Sequence, residues 1–567
     1  MSSSLRKCQG LMNSLASDLK EAGESSTLTQ AVSRDMLFPR IGLSQSVPLP
    51  GFVLYAEARL PSVDVGGTGE SFSRNDAAIP SDTVGPGTTD PLRVIPTQVV
   101  DYLLEIYISR CMASHPIFYE PWLRACHASV IHPGESGNNM APSTPYEQYT
   151  ISLVMAVALS TAARSNRREA GEMAFELFKN ALRHMSEVTT NDFAGLQALV
   201  LLHSYAVMNP TAANLYFLGG YTTQLCIDLG LHREDLTSQS DDIIARDIKR
   251  RVFWTAWELD ASSSAGFGRP FALLPQDITT GFPTDFADGA IGPDYIDERG
   301  SRSKFICNRV RVFRLIETEV ISILFHDHPF PPGMDSHETW AADVEARMNA
   351  WLQDIHHKAL SNQDAQLSVK WEEMALFAEI ATPLITVDLY RPCPRVKTPQ
   401  LNHLLKAFEA SIQVVQGYRR QASTAFGSPK YTFGPCHHVF ASAMVFLHAL
   451  RTCPSALRSH YSDLEMEASM TAFSDFFAVT AERWPASLKC LDEYQRILEP
   501  LKERYFEAER ALSSIPLDDL LPANGFLGYE DFVIDSVTAE DFTSYWTGQE
   551  LTYLDWADHF DLEGAAQ

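Results

Sequence analysis

Cys436, His437 and His438 stand side by side, His448 follows ten residues on, and His326 and His328 flank Asp327. Thiols and imidazoles are ligands of zinc and related ions, so a metal centre is the first chemistry to test. It fails on geometry. Successive helical residues point about 100° apart, and three in a row cannot converge on one ion without an irregular backbone. Scattered helical histidines of this kind are ordinarily core or surface groups. The nine cysteines are just as scattered and include no CxxC pair. That leaves no zinc module and no disulfide framework, and it fits a reducing compartment.

Other chemical readings are weaker. The stretch Gly66–Ser71 (GGTGES) lacks the lysine of a phosphate-binding loop and follows no strand. His132–Asn138 (HPGESGN) lacks the GxSxG elbow of a serine hydrolase. No motif supports an enzyme. The basic runs Lys249–Arg251 and Arg164–Arg168 resemble nuclear import signals, but both sit on or beside helical patterns and read as solvated faces.

The residues from Arg246 to Pro270 form the most specific constellation. On a helix Phe253, Trp257 and Asp260 fall at i, i+4 and i+7, while Arg246, Lys249 and Arg250 line the opposite, solvated side. Gly268 then relieves the backbone, Arg269 can reach back to a carboxylate, and Pro270 forbids continuation. An ion pair between Arg269 and Asp260 would lock this corner.

These side chains need a scaffold, and the scaffold reads as helical. The chain has 567 residues, 45% hydrophobic and 20% charged, so two to four units with a real core are expected. Helical periodicity predicts helices at 99–112, 151–164, 170–185, 193–208, 215–229 and 246–260. It predicts more at 305–325, 340–360, 371–390, 400–422, 436–451, 466–483 and 488–512. Asn191-Asp192 supplies a cap, and Gly219-Gly220 is tolerable inside a helix if a neighbour must approach closely. Alternating strand patterns are nearly absent, and no fixed repeat recurs. The fold class is all-α, an irregular multi-helix body.

The ends differ in composition. Residues 65–91 are rich in Gly, Ser, Thr and Pro, the make-up of a disordered linker. The tail Pro516–Gln567 holds twelve acids and no Lys or Arg, interleaved with aromatic residues such as Phe526, Tyr545 and Trp556. The net charge of −26 argues against non-specific attachment to nucleic acid. The amino terminus is no secretory signal, and the most apolar window, Ile151–Ala163, is too short for a bilayer; the expectation is a soluble intracellular protein without membrane contact.

Several pieces between Leu153 and Pro283 occur in an order that resembles one family. They are Leu153–Ala163, Leu196–Leu202 (LQALVLL), Leu218–Arg233 (LGGYTTQLCIDLGLHR), Arg250–Asp260 (RRVFWTAWELD), Gly268–Pro270 (GRP) and Asp277–Pro283 (DITTGFP). The set is similar to the fungal-specific transcription factor domain, the middle homology region that accompanies Zn2Cys6 binuclear cluster proteins. Leu389–Pro394 (LYRPCP) resembles its later Arg-Pro element. The resemblance implies a nuclear fungal transcription regulator of metabolic or secondary-metabolite genes. Its signature residues here are Arg250, Arg251, Phe253, Trp254, Asp260, Gly268, Arg269 and Pro270.

The family's zinc cluster needs six cysteines, and the first 110 residues hold only Cys8. No cofactor is therefore expected in this chain, with zinc expected only alongside an upstream cluster module. Direct DNA contact is not expected, and the alternative is a DNA-free partner or inhibitor of a full-length Zn2Cys6 factor, another copy of this chain included. The acidic tail resembles an activation segment that offers aromatic residues to a coactivator or the transcription machinery. A small-molecule effector is a further expected partner. The expected organisation is a linker at 1–90, an all-helical regulatory domain at 91–515 with its signature at 150–285, and the tail at 516–567.

Overall fold

The computed structural model describes residues 90–132, 142–162, 167–209, 212–234, 242–266, 268–424, 433–482 and 487–513. Residues 1–89 of the expected linker, the acidic tail, Cys8 and residues 164–166 of the second basic run lie outside them. Fourteen principal helices follow in chain order. They are α1 Thr97–Ile106, α2 Glu120–Ile131, α3 Pro145–Ala162, α4 Arg167–Leu182, α5 Phe193–Met208, α6 Leu215–Asp228 and α7 Ile243–Gly266. After them come α8 Phe305–Phe325, α9 His337–Ser361, α10 Ala365–Tyr390, α11 Leu401–Ser423, α12 Phe433–Thr452, α13 Asp463–Ala481 and α14 Ser487–Ser513. Among the described residues the only β feature is an isolated bridge between Ile291 and Ile296. The chain is all-α, as its periodicity predicts. No single helix among these residues is long and apolar enough to cross a membrane.

Local chemistry sets several helix starts. Asp192 Oδ1 accepts from Gly195 N at the head of α5, and Asn214 Oδ1 accepts from Phe217 N at the head of α6. Ser462 and Glu465 form a reciprocal capping box ahead of α13. Helix α2 is absent from the periodicity reading, in a stretch where Pro116 and Pro121 break the apolar pattern. Pro121 in fact sits in the first turn, where a proline's missing N–H leaves no intrahelical bond unmade. A π turn at Tyr107–Cys111 continues α1 toward that region.

The apolar interior has two large parts and a small third cluster of Phe286, Ala290 and Ile291. One large part gathers residues of α1 to α7, among them Val100, Tyr149, Phe178, Leu199, Phe253 and Trp257. The other gathers α8 to α14, with Phe313, Trp340, Phe408, Phe446, Phe473 and Tyr494. Where α7 meets α8 the side chains turn polar. Arg311 donates to Thr255 Oγ1 (3.2 Å) and lies 3.7 Å from Glu258, and Arg314 donates to Glu317 (2.6 Å). Arg311, Glu258 and Glu317 are buried.

The paired glycines of α6 have different reasons to be there. A Cβ on Gly219 would lie 3.0 Å from the Asp260 Cα and 3.2 Å from His203 Cε1, so this position lets α6 press against α7. A Cβ on Gly220 would meet nothing within 4 Å. Gly219→Ala is therefore expected to destabilise by about 1–3 kcal/mol through overpacking, while Gly220→Ala stabilises by up to about 1 kcal/mol through helix propensity. Urea unfolding of the two variants checks this; shifts of the same sign would contradict it.

Candidate functional site

Helix α7 places Asp247, Arg250, Trp254, Trp257 and Asp260 on one stripe, at spacings of three and four residues. Each of them bonds the main chain of residues 271–284, a strap with no regular structure beyond the 3-10 turn Pro275–Asp277. Asp260 Oδ2 accepts from Ala272 N (3.3 Å), and Trp257 Nε1 donates to Leu273 O (3.0 Å). Trp254 Nε1 donates to Gly281 O (2.9 Å) and Arg250 Nη1 to Phe282 O (3.4 Å). Asp247 Oδ1 accepts from Thr284 N (2.7 Å). The order along the strap reverses the order along the helix, so the two run antiparallel.

A second segment clamps the strap from the other side. Arg250 grips Glu234 through Nε (3.1 Å) and Nη2 (2.9 Å), and Glu234 Oε2 also accepts from Gly281 N (3.0 Å). Thr280 Oγ1 donates to Leu231 O (2.6 Å), and Thr279 N donates to His232 O (3.0 Å). The fork of Arg250 holds a carboxylate and a carbonyl at once, which a lysine's single ammonium would not do with the same geometry. The solvated role expected of Arg250 is thus corrected: it is half-buried and fully engaged, because the LGLHRE segment folds over that side of α7.

Arg251 is also not part of a solvated basic face. It is buried, donates from Nε to Asp247 Oδ2 (2.6 Å), and its Nη2 lies 2.6 Å from Asp288 Oδ1. Lys304 Nζ donates to the same Asp288 oxygen (2.8 Å), and Asp288 Oδ2 accepts from Glu120 N at the start of α2. Two acids and two bases therefore cancel in the interior. Burial alone would raise the Asp288 carboxyl, but Arg251 and Lys304 outweigh it and hold the group below its usual range. The run Lys249–Arg251 is consequently committed to internal contacts at two of its three residues.

The end of α7 follows its sequence in part. Gly268 adopts a left-handed backbone (φ 59°), and Arg269 N donates to Ser264 O (2.9 Å), a closing bond that glycine in this position permits. Pro270 is exposed just beyond it. The expected Arg269–Asp260 ion pair is not formed. Arg269 instead stacks its guanidinium over the Tyr216 ring at 4.9 Å, and Asp260 turns inward to the strap. Phe253 is fully buried, edge-on to Trp254. Asp247, Glu234, Asp288 and Lys304 were not singled out from sequence, although Asp247 and Arg251 stand at i, i+4 as a helical ion pair would.

Neutral and charged forms of the buried groups are shifted by desolvation. Burial lifts Asp260 to about 7, against the bond from Ala272, and lifts Glu258 to about 7, against the opposing pull of Arg311 and Arg314. His203, fully buried beside Gly219, is lowered to about 3 by burial and then by His115. At the histidine cluster near α12, Cys436 Sγ faces Cys490 Sγ at 3.8 Å while His438 Nδ1 meets the Tyr418 hydroxyl at 2.7 Å. Those neighbours point to separate partners.

The sequence profile of the fungal specific transcription factor domain matches residues 104–353. Over that span the chain is similar to this family. All eight signature residues lie inside the matched span, as do Glu234, Asp247, Asp288 and Lys304. The chain is similar to the positive regulator of purine utilization of Emericella nidulans, 24% identical over 379 residues, which cover 54% of this chain and 36% of that protein. It is similar to pyrimidine pathway regulatory protein 1 of Saccharomyces cerevisiae, 24% identical over 45% of this chain and 28% of that one. The activator of stress genes 1 of the same yeast matches at 24% identity, over 37% of this chain and 22% of its own length. The chain thus spans about a third or less of the length of these curated relatives.

The titration of Asp260 has a measurable consequence. Its folded value of about 7 lies above the ~3.9 of an unfolded aspartate, so its stability contribution is full below the unfolded value and is lost as pH rises through 7. Asp260→Asn keeps an oxygen for Ala272 N and cannot ionise. The variant is expected to gain stability relative to the parent between pH 5 and pH 8, read from urea midpoints. A difference that stays constant over that range would contradict the assignment.

Proposed function

We propose that this chain is a fungal transcription regulator of a metabolic or secondary-metabolite gene set, acting in the nucleus, with residues 91–515 as its regulatory body. The match of residues 104–353 to a transcription factor domain carries this reading. The names of the purine, pyrimidine and stress regulators support it. Within this reading the α7 stripe and its strap are framework rather than catalytic machinery. They fix the route of the chain between the two apolar cores, which is what a body with one defined off state requires. The work of activation falls to the acidic, aromatic tail at 516–567, captured by a coactivator surface when a metabolite or partner releases it from the body. Residues 1–90 serve as the linker to whatever brings the chain to a promoter.

A reporter assay tests this directly. The 567-residue chain tethered to a heterologous DNA-binding module is expected to activate transcription, and removal of residues 516–567 to reduce the signal at least tenfold at equal protein level. Unchanged activation after that deletion would overturn the role of the tail, and a tethered full chain that leaves the reporter unaltered under every nutrient condition would overturn the regulator reading.

A further inference from the structure

Asp101 on α1, His127 on α2 and His132, the residue that ends α2, bring one carboxylate oxygen and two imidazole nitrogens within 4.8 Å of one another. Asp101 Oδ1 stands 3.3 Å from His127 Nε2 and 3.3 Å from His132 Nε2. A tetrahedral zinc ion with arms of ~2.0–2.1 Å has ligand-to-ligand edges of about 3.3–3.4 Å. Two of the three edges are therefore already at the length that a bound ion would set.

His132 Nε2 and Asp101 Oδ1 are also within hydrogen-bonding geometry of each other, and two further observations point beyond a hydrogen-bonded pair. His127 is buried, yet no hydrogen bond reaches its Nε2. Finally, one side is open: the Asp101 side chain is 47% exposed and that of His132 28%, which leaves room for a water as fourth ligand. The neighbouring cation Arg124 is occupied by Glu105 and Glu120.

We propose that Asp101, His127 and His132 bind one zinc ion, completed by water, which fastens α1 to the carboxyl end of α2. Helix α2 would then be held at both ends, by the metal at His132 and by Asp288 at the Glu120 amide. The site is independent of the transcriptional reading and of any thiolate zinc cluster, since it uses two imidazoles and a carboxylate drawn from two helices. The test is cobalt(II) titration of the chelator-stripped full chain, followed by zinc competition. One saturable equivalent is expected, with visible bands of four-coordinate cobalt and no thiolate charge-transfer band, displaced by zinc. His132→Gln and Asp101→Asn are each expected to weaken that binding at least tenfold with unchanged circular dichroism, while His460→Gln, on an exposed position elsewhere, leaves it intact. Absence of saturable uptake, or equal affinity in the parent and in both folded variants, would overturn the proposal.

Discussion

A strap with neither helix nor strand must still satisfy its backbone, and in this protein one helix does it with side chains. The stripe of α7 from Asp247 to Asp260 supplies three donors and two acceptors to residues 272–284, in reverse order. The tryptophans suit that task because each buries a large ring and keeps one N–H for a carbonyl. Everything around the strap is arranged by this constraint. Glu234 must come in to complete Arg250, the LGLHRE segment must fold over to bring it, and Gly219 must be bare so that α6 can sit against Asp260.

Asp247 belongs to two structures at once, which is how the strap connects to the rest of the body. One oxygen caps Thr284 N and the other holds Arg251, which in turn meets Asp288 and, through it, Lys304 and the start of α2. Buried ion pairs of this kind add little net stability, because desolvation offsets the attraction. They do penalise alternatives, since any rearrangement that separates one partner leaves a naked charge inside. The cluster is thus better suited to defining one arrangement than to strengthening it. The same logic applies where α7 meets α8, with Glu258 and Arg311 between two apolar cores.

Much of the helix content was legible in the sequence. The predicted segments 193–208 and 305–325 agree with α5 and α8 to the residue, because their apolar stripes and the Asp192 cap leave little choice. The resemblance to the transcription factor domain was legible too, and Gly268 ends α7 as its type suggests. What periodicity could not give was the partner of a polar side chain. It reports which face is buried against something, not against what, so Arg250 read as solvated and Arg269 as the mate of Asp260. The strap partners were hidden because they are main-chain atoms, which every sequence supplies. Asp101, His127 and His132 escaped for a different reason: their spacing within either helix is not that of a ligand pair, and only the packing of α1 on α2 brings them together.

Amide hydrogen exchange of the strap tests the central claim most directly. If α7, with Glu234, holds residues 271–284 through the bonds described, the amides of Ala272 and Thr284 on α7 and of Gly281 on Glu234 will exchange about as slowly as those in the middle of α7, despite lying in no regular structure. Exchange at the rate of the exposed turn around Gly333 would contradict the account.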